Sequence, residues 1–153
     1  MNNEVDRPDR TGRRLHGLME TFELEQVINW LQDEAEYNHK GHNALTLVKN
    51  PVLRLVMIVM QRGSQLHEHH APGPITLKVL RGKVRFTLEP EGLNEQVELD
   101  KEQLLVLEEP RQHAVIALEE SAILLTILNT RAGAVGTGKT ESETSCSHEE
   151  RAG

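Results

Sequence analysis

The chain has almost no cysteine. Its one thiol, Cys146, stands in a polar stretch close to the C-terminal end, so no disulfide framework can brace the fold. It has no apolar run long enough for a membrane-spanning helix, and Met1 to Arg14 contains nothing like the apolar core of a secretion signal. A reducing, cytoplasmic setting without membrane contact is the expectation. Basic residues are in the minority: 17 Lys and Arg against 24 Asp and Glu, a net charge of −7. Nucleic-acid binding needs clustered cations to neutralise phosphates. The small basic group of Arg10, Arg13 and Arg14 is diluted by Asp6 and Asp9, so nucleic acid is not an expected partner.

Hydrophobic residues make up 37% of the chain, below the usual globular share, and they are concentrated between positions 44 and 128. The expected domains are a flexible lead-in over 1–20, an amphipathic helix within 21–43, one β-domain over 44–130 and a disordered Gly, Ser, Thr and Glu tail over 131–153. Thr21 reads as the helix cap, with Glu23 and Glu25 at the positive end of the dipole. Leu24, Val27, Ile28 and Leu31 form one apolar face, and Gly41 suits the stop. The spacing predicts a single helix over 22–38.

From Ala44 onward the rhythm shortens. Ala44–Lys49, Val52–Met60, Ile75–Leu80, Lys83–Leu88, Gln96–Leu99, Leu104–Leu107, Ala114–Leu118 and Ile123–Leu128 are brief, rich in Leu and β-branched residues, and separated by Gly and Pro turns. Many short strands without intervening helices predict an all-β sandwich or barrel. Val52–Met60 is apolar almost throughout, with Arg54 the interruption. Such a strand is covered on both faces, by the domain interior and by the helix or a second subunit. A homodimer is expected from that covering and from exposed edge strands.

The densest chemistry lies in Gly63-Ser-Gln-Leu-His-Glu-His-His70 and, further on, Pro110-Arg-Gln-His113. Successive strand residues alternate faces. His67 and His69 would therefore share one face, and Glu68 and His70 the other. Two imidazoles at i and i+2, with His113 from a second strand, can form a facial metal set for Zn, Fe, Ni, Mn or Cu.

These residues resemble the cupin superfamily. Its first motif, G-x5-H-x-H-x3,4-E-x6-G, is matched by Gly63, His67, His69, His70 and Gly82. Its second, G-x5-P-x-G-x2-H-x3-N, is matched by Pro110 and His113. The resemblance covers about residues 44 to 128 and implies a single small jelly-roll barrel, often dimeric. It further implies a metal held by His67, His69 and His113, with His70 as a substitute. The family's glutamate is replaced by Ile75, the second motif's opening Gly by Glu102, its inner Gly by Pro110 and its final Asn by Ala117. Counting back from Gly82 favours the Glu68/His70 pair, whereas two imidazole ligands favour His67/His69, so both registers stay open. Ile75, Leu77, Val79, Phe86 and Val115 are expected to line a pocket for a small, apolar or planar ligand. Dioxygenase, isomerase and decarboxylase chemistry all occur in the family. A metal-free binding, sensor or accessory module is the competing expectation.

Two further features read as ordinary. Gly133 to Thr140 spells G-x4-G-K-[ST], but Glu141 to Glu150 beyond it has no apolar helix face that could seat a phosphate-binding helix, so no nucleotide cofactor is expected. His42, beside the helix stop, reads as a capping or solvent-contacting residue.

Overall fold

A computed structural model describes residues 19–68, 71–89 and 95–130, without the side chain of residue 68. The tail over 131–153 and nearly all of the lead-in over 1–20 lie outside the described residues. In chain order the elements are α1 (Leu24–Asp33), α2 (Ala35–Lys40), β1 (His42–Lys49), β2 (Leu53–Met60), β3 (Gln65–Glu68), β4 (Ile75–Arg81), β5 (Lys83–Leu88), β6 (Gln96–Asp100), β7 (Leu104–Leu107), β8 (His113–Ala117) and β9 (Ser121–Leu128). β3 is the strand that periodicity missed. Its Gln-Leu-His-Glu sequence holds one apolar residue and shows no alternation strong enough to read. No helix among the described residues is long and apolar enough to cross a membrane.

The single helix expected over 22–38 is two helices. Glu34 adopts an extended backbone between them. The buried Asn43 amide donates to the Leu31 carbonyl (3.0 Å) and to the Glu34 carboxylate (2.9 Å), taking up a carbonyl at the end of α1. Thr21 is not the cap. Glu23 holds that position, without a side-chain hydrogen bond. At the other end Gly41 stops α2 in the left-handed conformation (φ 85°), its N–H bonded to the Tyr37 carbonyl at 2.9 Å.

The strands form two sheets, ordered β1-β2-β9-β4-β7 and β3-β8-β5-β6, with every pairing antiparallel. β2 separates two cores. Its Met57 and Val59 face outward and pack with Val27, Ile28 and Leu31 of α1 and Leu45 and Leu47 of β1. Its Val56, Ile58 and Met60 face inward and pack with Ile75, Leu77 and Val79 of β4 and Phe86 and Val115 of the opposite sheet. Each fully buried aliphatic side chain contributes about 1.5–3 kcal/mol relative to exposure. The period-two pattern of this strand is therefore what attaches α1 to the β-domain.

The expectation of a closed barrel is corrected: the two sheets lie face to face and pair with each other nowhere among the described residues. Two crossings explain this. Between β4 and β5, Gly82 (φ 81°) carries the chain from one sheet to the other, where any Cβ would collide with the Glu120 carbonyl and the Ser121 hydroxyl. After β6, the chain leaves its sheet through Glu102, whose N–H bonds to the Val79 carbonyl at 2.8 Å, while the Gln103 carbonyl accepts from Val79 N at 3.1 Å. β7 is thereby drawn onto β4 and not onto β6. The seam between β6 and β7 stays open, with Val97 and Val106 exposed beside it.

Glu102, at the position of the second motif's opening glycine, is the one described non-glycine residue with positive φ (72°). A left-handed backbone costs a side-chain-bearing residue about 1–2 kcal/mol, and the exposed Lys78–Glu102 ion pair (3.3 Å) returns only about a few tenths. Glu102→Gly is expected to raise stability by about 1 kcal/mol, read as a higher urea midpoint. A lower midpoint would show that the side chain outweighs the strain.

Tyr37 is buried and its hydroxyl donates to the Glu120 carboxylate at 2.6 Å, tying α2 to the β8–β9 turn. Burial first, then the bond to Glu120 and its negative charge, hold the phenol's ionisation well above the ordinary tyrosine range. The stabilisation tied to this proton is complete below about pH 10, the unfolded value, and is lost as pH rises further, because only the unfolded chain ionises there. The chain has one tyrosine, so phenolate absorbance reports it alone. That absorbance is expected to appear together with the loss of β-sheet circular dichroism in alkali. Ionisation in a chain that stays fully folded, at an ordinary tyrosine pH, would contradict the burial.

Candidate functional site

The inward faces of the two sheets do not fill the space between them. They leave a cavity of about 320 Å³. Its wall is largely hydrocarbon, from Ile75, Leu77, Val115, Leu125 and Ile127 among others. Of the expected pocket residues, Ile75, Leu77 and Val115 line it. Val79 and Phe86 belong to the buried core alongside, and Phe86 also faces the open β6–β7 seam.

His113 is the most enclosed polar group of this wall, 4% exposed. It opens β8, which places it on the inward face with Val115. Its ring stacks on Phe86 with centroids 4.9 Å apart and planes at 19°. Nδ1 lies 2.9 Å from the Arg111 carbonyl oxygen. A carbonyl can only accept, so Nδ1 carries the hydrogen, and Nε2 is the ring's acceptor when neutral. The Pro110-Arg111-Gln112 turn thus fixes both the orientation and the tautomer of the imidazole.

His67 is exposed and borders the cavity at the β3 edge. In the β3–β8 register it is opposite Ala114, whereas position 68 is opposite His113. Directly opposed residues occupy the same face of a sheet, so the backbone register sets position 68, not 67, across from His113. His69 and His70 lie outside the described residues, as do Cys146 and the Gly133–Thr140 segment.

Metal binding can be tested against the donors present. The glutamate position of the first motif is Ile75, 2% exposed and opposed by Leu107 and Ile127, so hydrocarbon stands where an anionic oxygen would be needed. Among the described residues no three His, Cys, Asp or Glu side chains converge to hold an ion. The described residues alone therefore do not make a metal centre.

Two titratable residues of the cavity wall were missed by sequence reasoning. His42 begins β1 and lines the cavity, opposite Met60 in the register. Its place next to the helix stop disguised it as a capping residue. Arg54 lies on β2 in the inward set with Val56, Ile58 and Met60, and it too lines the cavity. The signal for Arg54 was visible: it has the same parity as the inward residues of that strand.

No family model matches the chain, and no curated protein matches it. Solved structures do. A cupin superfamily protein from Desulfitobacterium hafniense shares 16% identity, with 57% of this chain and 76% of that one covered and a TM-score of 0.52. A conserved protein of unknown function from Streptococcus pyogenes shares 19%, with 83% and 97% covered and a TM-score of 0.58. The Fe(II) form of HppE shares 19%, with 57% and 50% covered and a TM-score of 0.50. With two facing antiparallel sheets around an inner cavity, the chain has a cupin-like fold.

Proposed function

We propose that the protein binds a small, mostly apolar organic ligand between its two sheets, as a ligand-binding, sensor or accessory module. The observation that carries this reading is the cavity itself: a hydrocarbon wall with a buried, oriented imidazole in it. Sites for small molecules are typically apolar with few placed polar groups. His113 supplies one such group, able to receive a hydroxyl or amide hydrogen at Nε2 while Phe86 holds the ring plane. A planar ligand suits a wall of branched aliphatic side chains. The expected pairing of two copies would cover the exposed Leu104 and Val106 on the free edge strand β7.

This reading is tested with neutral probes, phenol and indole, titrated into protein labelled at Ile, Leu and Val methyls. Shifts are expected at Ile75, Leu77, Leu125 and Ile127, and Ala44→Trp, which fills the cavity from β1, is expected to abolish them in a folded chain. Shifts confined to Leu104 and Val106, insensitive to Ala44→Trp, would refute it.

A second reading retains a divalent transition metal, with His113 as one ligand and the others from His67, His69 or His70. It is favoured by the Nδ1 bond to a backbone carbonyl, the arrangement that orients metal-binding imidazoles, and by the iron of the structurally similar HppE. Elemental analysis of untagged protein decides it. Stoichiometric metal that disappears in His113→Ala supports this reading, and protein that refuses added Fe, Ni, Zn, Mn and Cu excludes it.

A further inference from the structure

The cavity's polar residues are unlike the rest of the chain. Acidic residues outnumber basic ones overall, 24 to 17, yet none of the described side chains lining the cavity is acidic, while Arg54, His42, His67 and His113 are all there. A low-dielectric wall concentrates the field of such groups. Among the described residues the cavity lining thus holds one permanent cation, Arg54, exposed at its rim, and no carboxylate.

Arg54 is the permanent charge among them. Two of the other described arginines are ion-paired, Arg81 with Glu25 and Arg85 with Glu98 at 3.1 Å. Arg54 has no hydrogen-bond or ion-pair partner among the described residues. Its direct cross-strand neighbour is Lys49. Like charges directly opposite one another on a sheet destabilise it, so the β1–β2 ladder carries an unfavourable pair at this end. Lys49 and Arg54 also share a smaller hollow beside the cavity, with Asn50 and Asn129.

Register shows which end this is. Arg54 is opposite Ile127, and Ile127 is opposite Ile75, the first residue of β4. β4 runs from there to the Gly82 turn, and β5 returns to finish at Leu88, opposite His113. Arg54 and His113 therefore stand at the same end of the sandwich, on facing sheets, with Ile75 and Ile127 between them in the wall.

From this placement we infer that the ligand is a carboxylate with an apolar body, its anionic group received by Arg54 at the end of the cavity. The inference rests on the proposed binding of a small organic ligand and names its chemical class. The planar guanidinium matches a carboxylate with two parallel hydrogen bonds. The anion would also relieve the repulsion between Lys49 and Arg54, and the hydrocarbon body would lie against Leu77, Val115 and Leu125.

The experiment is calorimetric titration of the full chain with hexanoate and phenylacetate, each beside its neutral amide, for the parent, Arg54→Gln and Arg62→Gln. Arg62 is an exposed arginine in the β2–β3 turn and serves as the charge control. In the parent, the acids are expected to bind about tenfold or more tighter than the amides, the scale of a charge-assisted hydrogen bond. Arg54→Gln is expected to remove that preference while leaving amide affinity within about twofold, and Arg62→Gln to preserve it. Acids and amides binding the parent equally would overturn the inference and leave the ligand-binding reading standing. So would an acid preference that survives Arg54→Gln or disappears equally in Arg62→Gln. Failure of all four compounds to bind would overturn both. Should Arg54→Gln not fold, the parent decides alone: the acid preference must fall as salt rises while amide binding does not, and a salt-independent preference overturns the inference.

Discussion

The structure depends on one strand being buried from both sides. β2 sends Met57 and Val59 under the helix and Val56, Ile58 and Met60 into the space between the sheets. A strand with polar residues on either set would lose one of these packings, and α1 or the inner core with it. Because side chains alternate strictly along a strand, a single-residue change of register would exchange the two sets and move Arg54 beneath the helix. The location of the cationic end of the cavity and the docking of α1 are thus consequences of the same register.

Beyond the core between them, the two sheets are joined at the chain crossings. Gly82 permits the step from β4 into the facing sheet because any side chain there would meet the β8–β9 turn. Ser121 secures the same place, its hydroxyl accepting from Lys83 N and lying 2.7 Å from the Glu119 carbonyl it donates to. On the other side, Glu102 accepts a strained backbone to bring β7 onto β4. One side of the sandwich is thereby tied by part-buried hydrogen bonds, while the β6–β7 side is left open. The cavity stands between the fixed sheets, with His113 immobilised by Phe86 and the Arg111 carbonyl.

A cupin-like fold does not decide chemistry. In this chain Ile75 presents hydrocarbon at the position of the first motif's glutamate, and Arg54 stands where β2 is otherwise hydrocarbon. Both residues support the proposed binding of an organic anion. His113 suits either role, since an imidazole with Nδ1 committed to a carbonyl can use Nε2 toward a metal or toward a ligand's hydrogen.

The strands with clear alternation or dense β-branching, β2, β4, β5 and β9, were legible in the amino-acid order, as were the apolar face of α1 and the stop at Gly41. These are local properties, set by the periods of strand and helix and by glycine's freedom at positive φ. The break at Glu34, the path through Glu102 and the separation into two unjoined sheets were not legible, because each is decided by a distant group: Asn43, Val79 and β4. The sequence alone also marked His113 as a candidate site residue. It could not set position 68 opposite it, bring His42 into the wall or put Arg54 at the same end as His113. Those relations join residues far apart in the chain, and only the pairing of strands into sheets brings them together.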